Sequence, residues 1–296
     1  MREIFACLLL AGGIAHGGEW PSELKAYHGT TPKIDGFIEA AEWSDATTFE
    51  GVQGWTSQFT PTKEARDLSL KGWVKYDHEW LHFAFEVTDD VLYGIDIERW
   101  LPEKNPKAHE LSRDGWPWFG DEMEVLINAS NQWQGDDNAK GDDNAKGDDN
   151  AKGDGMSWQM VCNLTKSRLG GVGVGGLLEG EPRVSEQAWL TYQSWITTCA
   201  MVAVAKPKAQ GKGYVIEWSI AFRPCLEVAT GTFFAPSDKE VVMGLNIAVG
   251  DLDEKAKGEG NFGNFHHEDW FAGEKNKRTN VRQWGQLRMM PKLAKP

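Results

Sequence analysis

From Glu122 to Asn128 the chain alternates with a period of two, the spacing of a β-strand and not of a helix. Met123, Val125 and Ile127 share the parity expected to enter a core. Glu122 and Glu124 share the other, as does Trp118 a little upstream, and this face is expected to meet solvent. Pro117 and Gly120 mark the approach as a loop. The same period recurs along the chain. Gly72 to Tyr76 and Trp80 to Val87 read as two strands joined by Asp77-His78-Glu79 as a short hairpin turn, with Leu81, Phe83, Phe85 and Val87 on one face. Tyr214, Ile216, Trp218, Ile220 and Phe222 fall on one side of another strand. Val241 to Val249 alternates too, and is expected to break at Gly250-Asp251-Leu252.

Between these lie Trp158 to Leu164, a glycine-rich turn at 170–176 and a strand-like run from Trp189 to Val204. An Asp35-Gly36 turn leads into a short element ending at Trp43. Residues 94–117 are polar, carry Pro102, Pro106 and Pro117, and read as a long loop, as does the segment around His266 and His267. Many strands with little helical periodicity predict an all-β fold, an antiparallel, jelly-roll-like β-sandwich with long loop insertions. No proline- or serine-rich linker divides the chain, so one domain is expected over residues 18–296.

Charge and composition narrow the function. A net charge of −13 has the wrong sign for a phosphate backbone, which excludes nucleic acid as a partner. A mean hydropathy of −0.49 argues against an integral membrane protein, and no later segment has the length of a span. Residues 1–17 read as an export signal: Arg2, an apolar run from Ile4 to Ala15, then Ala15-His16-Gly17 as a cleavage site. The mature chain is expected to be secreted or periplasmic. It keeps Cys162, Cys199 and Cys225, whose odd number and wide spacing leave one bridge or three buried thiols equally open. The glycines at 170–176 have neither phosphate-loop spacing nor a following Lys-Ser/Thr.

Fifteen tryptophans are more than a core of this size demands, and a surplus often lines ligand surfaces. Trp118 beside Glu122 and Glu124 is an aromatic plate next to carboxylates. Such a pairing suits a sugar: the ring packs on the apolar C–H face of a pyranose, and the acids accept hydrogen bonds from its hydroxyls.

The ordered set Ile34-Asp35-Gly36 with Trp43, Val74-Lys75-Tyr76-Asp77 with Trp80-Leu81-His82-Phe83, Val87-Thr88-Asp89, and Pro117-Trp118 with Asp121 and Glu124 resembles the family 9 carbohydrate-binding modules and the wider fold class that includes DOMON domains. Tyr214 to Ile220, Gly244-Leu245-Asn246-Ile247 with Asp251, and Trp284-Gly285-Gln286-Leu287 complete it. The resemblance covers most of residues 31–290. It implies a β-sandwich whose shallow site clamps a polysaccharide or oligosaccharide between two tryptophans. Trp118 and Trp270 match the clamp positions and Glu124 a polar ligand, with Glu122, Gln159 and Asp251 as further ligand candidates. Two positions depart from the family: Ala248 stands at a polar position, and Gln159 or Met160 where a basic ligand is expected. Such modules usually accompany a glycosidase, which would here be a separate protein.

Other chemistries draw on the same residues. Glu122, Glu124 and Glu217 are candidate carboxylates for glycoside hydrolysis, which needs a pair at a defined separation. Some proteins of the wider fold class hold haem b, for which Met123, Met160, Met243, His266 and His267 are candidates. His266, His267, Glu268 and Asp269 are also metal-ligand types, although adjacent histidines rarely converge on one ion. The principal expectation is a non-catalytic binder without a cofactor, with structural calcium and haem b as alternatives.

Gly135-Asp136-Asp137-Asn138-Ala139-Lys140 recurs twice in identical form through Lys152 and restarts at Gly153-Asp154. The units carry no apolar residue but alanine, so they can bury nothing, and their acids do not follow EF-hand spacing. A flexible, expanded hairpin loop is expected over 135–154. Loop closure costs only about 0.6 kcal/mol per doubling of length. Deleting two whole units is therefore expected to leave the thermal midpoint within a few degrees of the parent; a collapse of the transition would make the segment structural.

Overall fold

The computed structural model describes residues 23–51, 56–57, 68–92, 121–128, 157–163, 172–175, 201–222, 239–252, 265–269 and 284–293. The expected export signal, the expected loop at 94–117, Trp118, Trp270, the repeat, Cys199 and Cys225 lie outside them. Among the described residues, thirteen strands form two sheets. The smaller contains β2 (Thr47–Gly51), β4 (Ser69–Tyr76), β5 (Trp80–Thr88), β9 (Met201–Pro207) and β10 (Tyr214–Ala221), in the order β2-β4-β5-β10-β9. The larger contains β1 (Glu23–Ala26), β3 (Thr56–Ser57), β6 (Glu122–Asn128), β7 (Ser157–Asn163), β8 (Val172–Gly175), β11 (Val241–Leu252), β12 (Phe265–Asp269) and β13 (Gly285–Met289). Its order is β1-β13-β11-β6-β7-β8, with β12 also on β11 and β3 on β12. All pairings between these strands are antiparallel except β1 with β13. Among the described residues no helix is long and apolar enough to cross a membrane.

The predicted dry rows meet between the sheets. Leu81, Phe83, Phe85 and Val87 of β5 and Tyr214, Ile216, Trp218 and Ile220 of β10 pack in one cluster with Met123, Val125 and Ile127 of β6 and Met243, Leu245, Ile247 and Val249 of β11. The all-β sandwich is therefore as expected. Asp77 makes the predicted turn: its Oδ1 accepts from the amides of Glu79 and Trp80, each at 2.7 Å, and its own amide donates to the Trp80 carbonyl at 2.9 Å.

Pairing overrides local sequence at several places. The segment expected as a glycine-rich turn contains β8, in which Gly173 and Gly175 stand opposite Met160 and Trp158. β11 continues through Gly250 to Leu252 instead of breaking, because β12 supplies a partner along that length. His266 and His267 accordingly lie in a strand and not a loop. The most consequential correction concerns exposure. Every residue of β6 is buried, so Glu122 and Glu124 do not face solvent. A strand in a covered sheet is dry on both sides, and its alternation then reports chemistry and not exposure.

The outward face of the smaller sheet is covered by residues 28–46. Trp43, Trp73 and Ala84 form a second apolar cluster there, with Ile38 and Ala46 against it. Lys75 is fully buried, pairs with Asp45 at 2.8 Å, donates to the Glu42 carbonyl, and lies 5.1 Å from the Trp43 ring centre. Glu217 accepts three bonds: the amides of Asp35 at 2.9 Å and Gly36 at 2.7 Å, and the Trp43 indole at 3.0 Å. Gly36 has φ +82°, a left-handed geometry that glycine adopts without strain, and the Lys206 side chain fills the space a Cβ would need. Burial raises Glu217 above its ordinary value against the lowering effect of those three donors. The acid is thus committed to holding the turn, which removes it as a hydrolytic carboxylate. Glu217→Ala would leave three donors without their acceptor, each costing about 1–3 kcal/mol when buried. Urea unfolding should show a loss of about 3 kcal/mol or more, and an unchanged midpoint would refute the anchoring role.

Candidate functional site

The polar parity of β6 carries Glu122, Glu124, Leu126 and Asn128, all fully buried. Antiparallel register extends each position into a row across the larger sheet. Glu122 stands opposite Gly250 of β11 and Asn163 of β7; Glu124 opposite Ala248 and Val161; Leu126 opposite Asn246 and Gln159. On the far side of β11, Ala248 pairs with Asp269 and Gly250 with His267. Glu122, Glu124 and Gln159 are therefore brought to neighbouring rungs of one sheet. Trp270 follows Asp269 in the chain, and Trp118 precedes Glu122 by four residues.

Asn246 and Asn128, both fully buried, share this face and were missed by the sequence reading. Their signal was available: Asn246 lies between Leu245 and Ile247 with the parity opposite to theirs, in phase with Ala248. Gly250 is needed where Glu122 crosses it. A Cβ there would lie 2.7 Å from Glu122 Cγ and 2.9 Å from its Oε1.

Asp251 does not belong to this face. It has the inward parity of Met243, Leu245, Ile247 and Val249, two residues beyond the last of them. Asp89 extends the Leu81–Val87 row and Asp121 the Ile127–Met123 row in the same way. One carboxylate oxygen from each of Asp89, Asp121 and Asp251 lies within 4.8 Å of the others. Asp89 Oδ1 accepts from the Val91 amide at 2.9 Å, and Asp121 Oδ1 from the Leu252 amide at 3.2 Å. Tyr214 seals this end of the core, its hydroxyl donating to the Glu122 carbonyl at 3.3 Å. Burial, and after it the carboxylates of Asp121, Asp89, Asp251 and Glu122, push that phenol well above its ordinary value. Three carboxylates brought together at the ends of β5, β6 and β11 are the donor type of a hard cation such as calcium. They lie across the sheet from Glu124, so a cation held there would brace the sandwich end without touching a ligand on the other face.

Met123, Met160 and Met243 are buried in the apolar cluster between the sheets. Cys162 is a free, buried thiol in the same cluster, and burial, then the charge of Glu122, raise its pKa far above the ordinary thiol range.

No family model and no curated protein sequence matches the chain. Its fold is that of solved family 9 carbohydrate-binding modules. One from Caldicellulosiruptor kristjanssonii in complex with cellotriose aligns over 91% of this chain and 94% of its own at 13% identity, with a TM-score of 0.50. A glucose complex of a family 9 module from the same organism aligns over 91% and 96% at 13% identity, with a TM-score of 0.49. A Bacteroides uniformis protein described as carbohydrate-binding aligns over 90% and 98% at 10% identity, with a TM-score of 0.48. At these identities the likeness is one of fold.

The close passage of Glu122 over Gly250 is testable by a double-mutant cycle. Gly250→Ala should cost about 1–3 kcal/mol by overpacking. Combined with Glu122→Ala the cost should be less than the sum of the two, since the second change removes the clash. Additive losses in urea melts would show that the two residues do not meet.

Proposed function

We propose that this chain is a carbohydrate-binding protein without chemistry of its own, and that its sugar lies against the Glu124 face of the larger sheet. The observation that carries the reading is the grouping of Glu122, Glu124, Asn128 and Asn246 on one face, outside the core. Carboxylates and amides in that concentration can accept from and donate to several hydroxyls at once, and bonds to ionised groups are the stronger kind. The same fold holds cellotriose in a bacterial family 9 module, which makes a β-linked glucan or xylan oligosaccharide the first ligand to try.

In this reading Trp118 and Trp270 supply the two ring faces of the clamp, and Glu124 orients the hydroxyls between them. Gln159, in register with Leu126, is a further ligand candidate of this reading. Ala248, in register with Glu124, contributes no hydrogen bond, so specificity differs from a site with a polar residue there. The four polar side chains are buried, so a sugar reaches them only where this face opens. Export places the protein among extracellular or periplasmic polysaccharides, where it serves carbohydrate catabolism beside a separate glycosidase.

Calorimetric titration of the mature chain with cello- and xylo-oligosaccharides tests this directly. Aromatic contacts of this kind contribute about 0.5–1.5 kcal/mol beyond their area burial. With that burial added, Trp118→Ala and Trp270→Ala should each weaken binding about tenfold or more, since 1.4 kcal/mol is a factor of ten. Both variants should keep the parental far-UV spectrum. Unchanged affinity, or unfolding of both variants, would return these rings to the core.

A further inference from the structure

Residues 28–46 lie on the smaller sheet as a strap, and its turn contains the dipeptide Asp35-Gly36. In such a pair the backbone can react with itself. The glycine has no Cβ to shield its amide nitrogen, which can close on the aspartate side chain as a five-membered imide. The chemistry needs only water. The Gly36 nitrogen gives up its proton and bonds to Asp35 Cγ, and a carboxyl oxygen leaves as water. Water then adds to one of the two imide carbonyls. Addition at the former main-chain carbonyl breaks its bond to the Gly36 nitrogen. The chain then runs through Cβ and Cγ, and the old carbonyl becomes a free α-carboxylate.

In the folded chain both reacting groups are engaged. The Gly36 amide donates to Glu217 Oε2 at 2.7 Å, and the Asp35 amide donates to the same oxygen at 2.9 Å. Glu217 is fully buried, so water does not compete for these donors. The nitrogen attacks only after losing its proton, and an N–H held by a carboxylate releases that proton less readily. On the electrophile, Asp35 Oδ2 pairs with Lys33 at 2.6 Å and Oδ1 accepts from the Phe37 amide at 3.1 Å. The bond from Lys33, foremost, holds the Asp35 carboxyl below its ordinary value and so in its anionic, less reactive form.

We propose that Asp35-Gly36 is a site of isoaspartate formation, and that Glu217 and Lys33 hold it in check by engaging its two reacting groups. The modification would not fit the present turn. The path from Asp35 Cα to the Gly36 nitrogen gains one atom, and the spacing that lets both amides meet one Glu217 oxygen is lost. Isomerised molecules therefore lose an anchor of the strap.

Ageing the mature chain at neutral pH, folded and in urea, tests this. Trypsin cuts after Lys33, and isoaspartate is located by fragmentation in the peptide Ile34–Lys63. Asp114-Gly115 and Asp154-Gly155 repeat the dipeptide, and in urea they supply the reference rate. Asp35 should match them in urea, and in the folded chain should react at no more than about a tenth of that rate. Glu217→Gln weakens the acceptor while keeping its shape. It should speed the folded reaction about tenfold, the factor that 1.4 kcal/mol represents. Thr31→Val removes a different fastening of the strap, the bond to Asp77, and should leave the rate unchanged. If Glu217→Gln fails to fold, Lys33→Ala provides the second test at an exposed position: it frees Asp35 Oδ2 and should also raise the rate. An aged sample should show an added unfolding transition at lower urea. Equal rates in the folded and unfolded chain would overturn the proposal. So would a Glu217→Gln or Lys33→Ala protein no faster than wild type, a Thr31→Val protein as fast as Glu217→Gln, or an isomerised sample with the parental transition alone.

Discussion

The dry seam between the two sheets commits each of the central strands to one parity. Once Phe83 and Phe85, Met123 and Val125, and Leu245 and Ile247 turn inward, the alternate residues have no choice but to turn outward. Where an inward row runs past the apolar cluster it ends in an aspartate, and three such ends meet at Asp89, Asp121 and Asp251. Lys75 and Glu217, and Glu122 and Glu124, stand on the outward rows and are nevertheless buried. Burying charge is costly unless partners are arranged for it, so each outward face has to be organised.

The smaller sheet shows how that is done. Asp45 meets Lys75, two amides and an indole meet Glu217, and Thr31 meets Asp77, all from one strap of residues 28–46. A face closed by these bonds has little to offer a ligand. The larger sheet's outward face instead collects carboxylates and amides, and the proposed sugar is assigned to it. The division explains why Glu217 and Glu124, equivalent as acids in the sequence, have different roles: one is a structural acceptor on one side of the sandwich, the other lies on the opposite side.

Much of the fold was legible because period-two alternation survives burial. The rows of β5, β6 and β10 follow directly from residue type. Exposure was not legible: Glu122 and Glu124 alternate with Met123 and Val125 as they would on a half-wet strand, and only the covering of the sheet decides otherwise. Strand ends were also hidden. Gly250, Asp251, Gly173 and Gly175 are poor strand residues alone, and pairing with β12 and β7 makes them strand. Asp251 was grouped with Glu124 through the family resemblance, yet parity counted from Met243 places it on the reverse side. Extending the apolar rows by two residues would have found Asp89 and Asp121 as well.

The proposed sugar binds to one outward face of the sandwich and not the other. The sharpest measurement is an NMR titration of the mature chain, labelled with ¹⁵N at the tryptophan indoles and titrated with cellotriose. The prediction is progressive shifts of the Trp118 and Trp270 indole signals, while Trp43 and Trp73 on the smaller sheet and Trp218 in the core stay in place. Shifts at Trp43 or Trp73 with Trp118 and Trp270 unmoved would put the ligand on the wrong side of the sandwich and contradict the account.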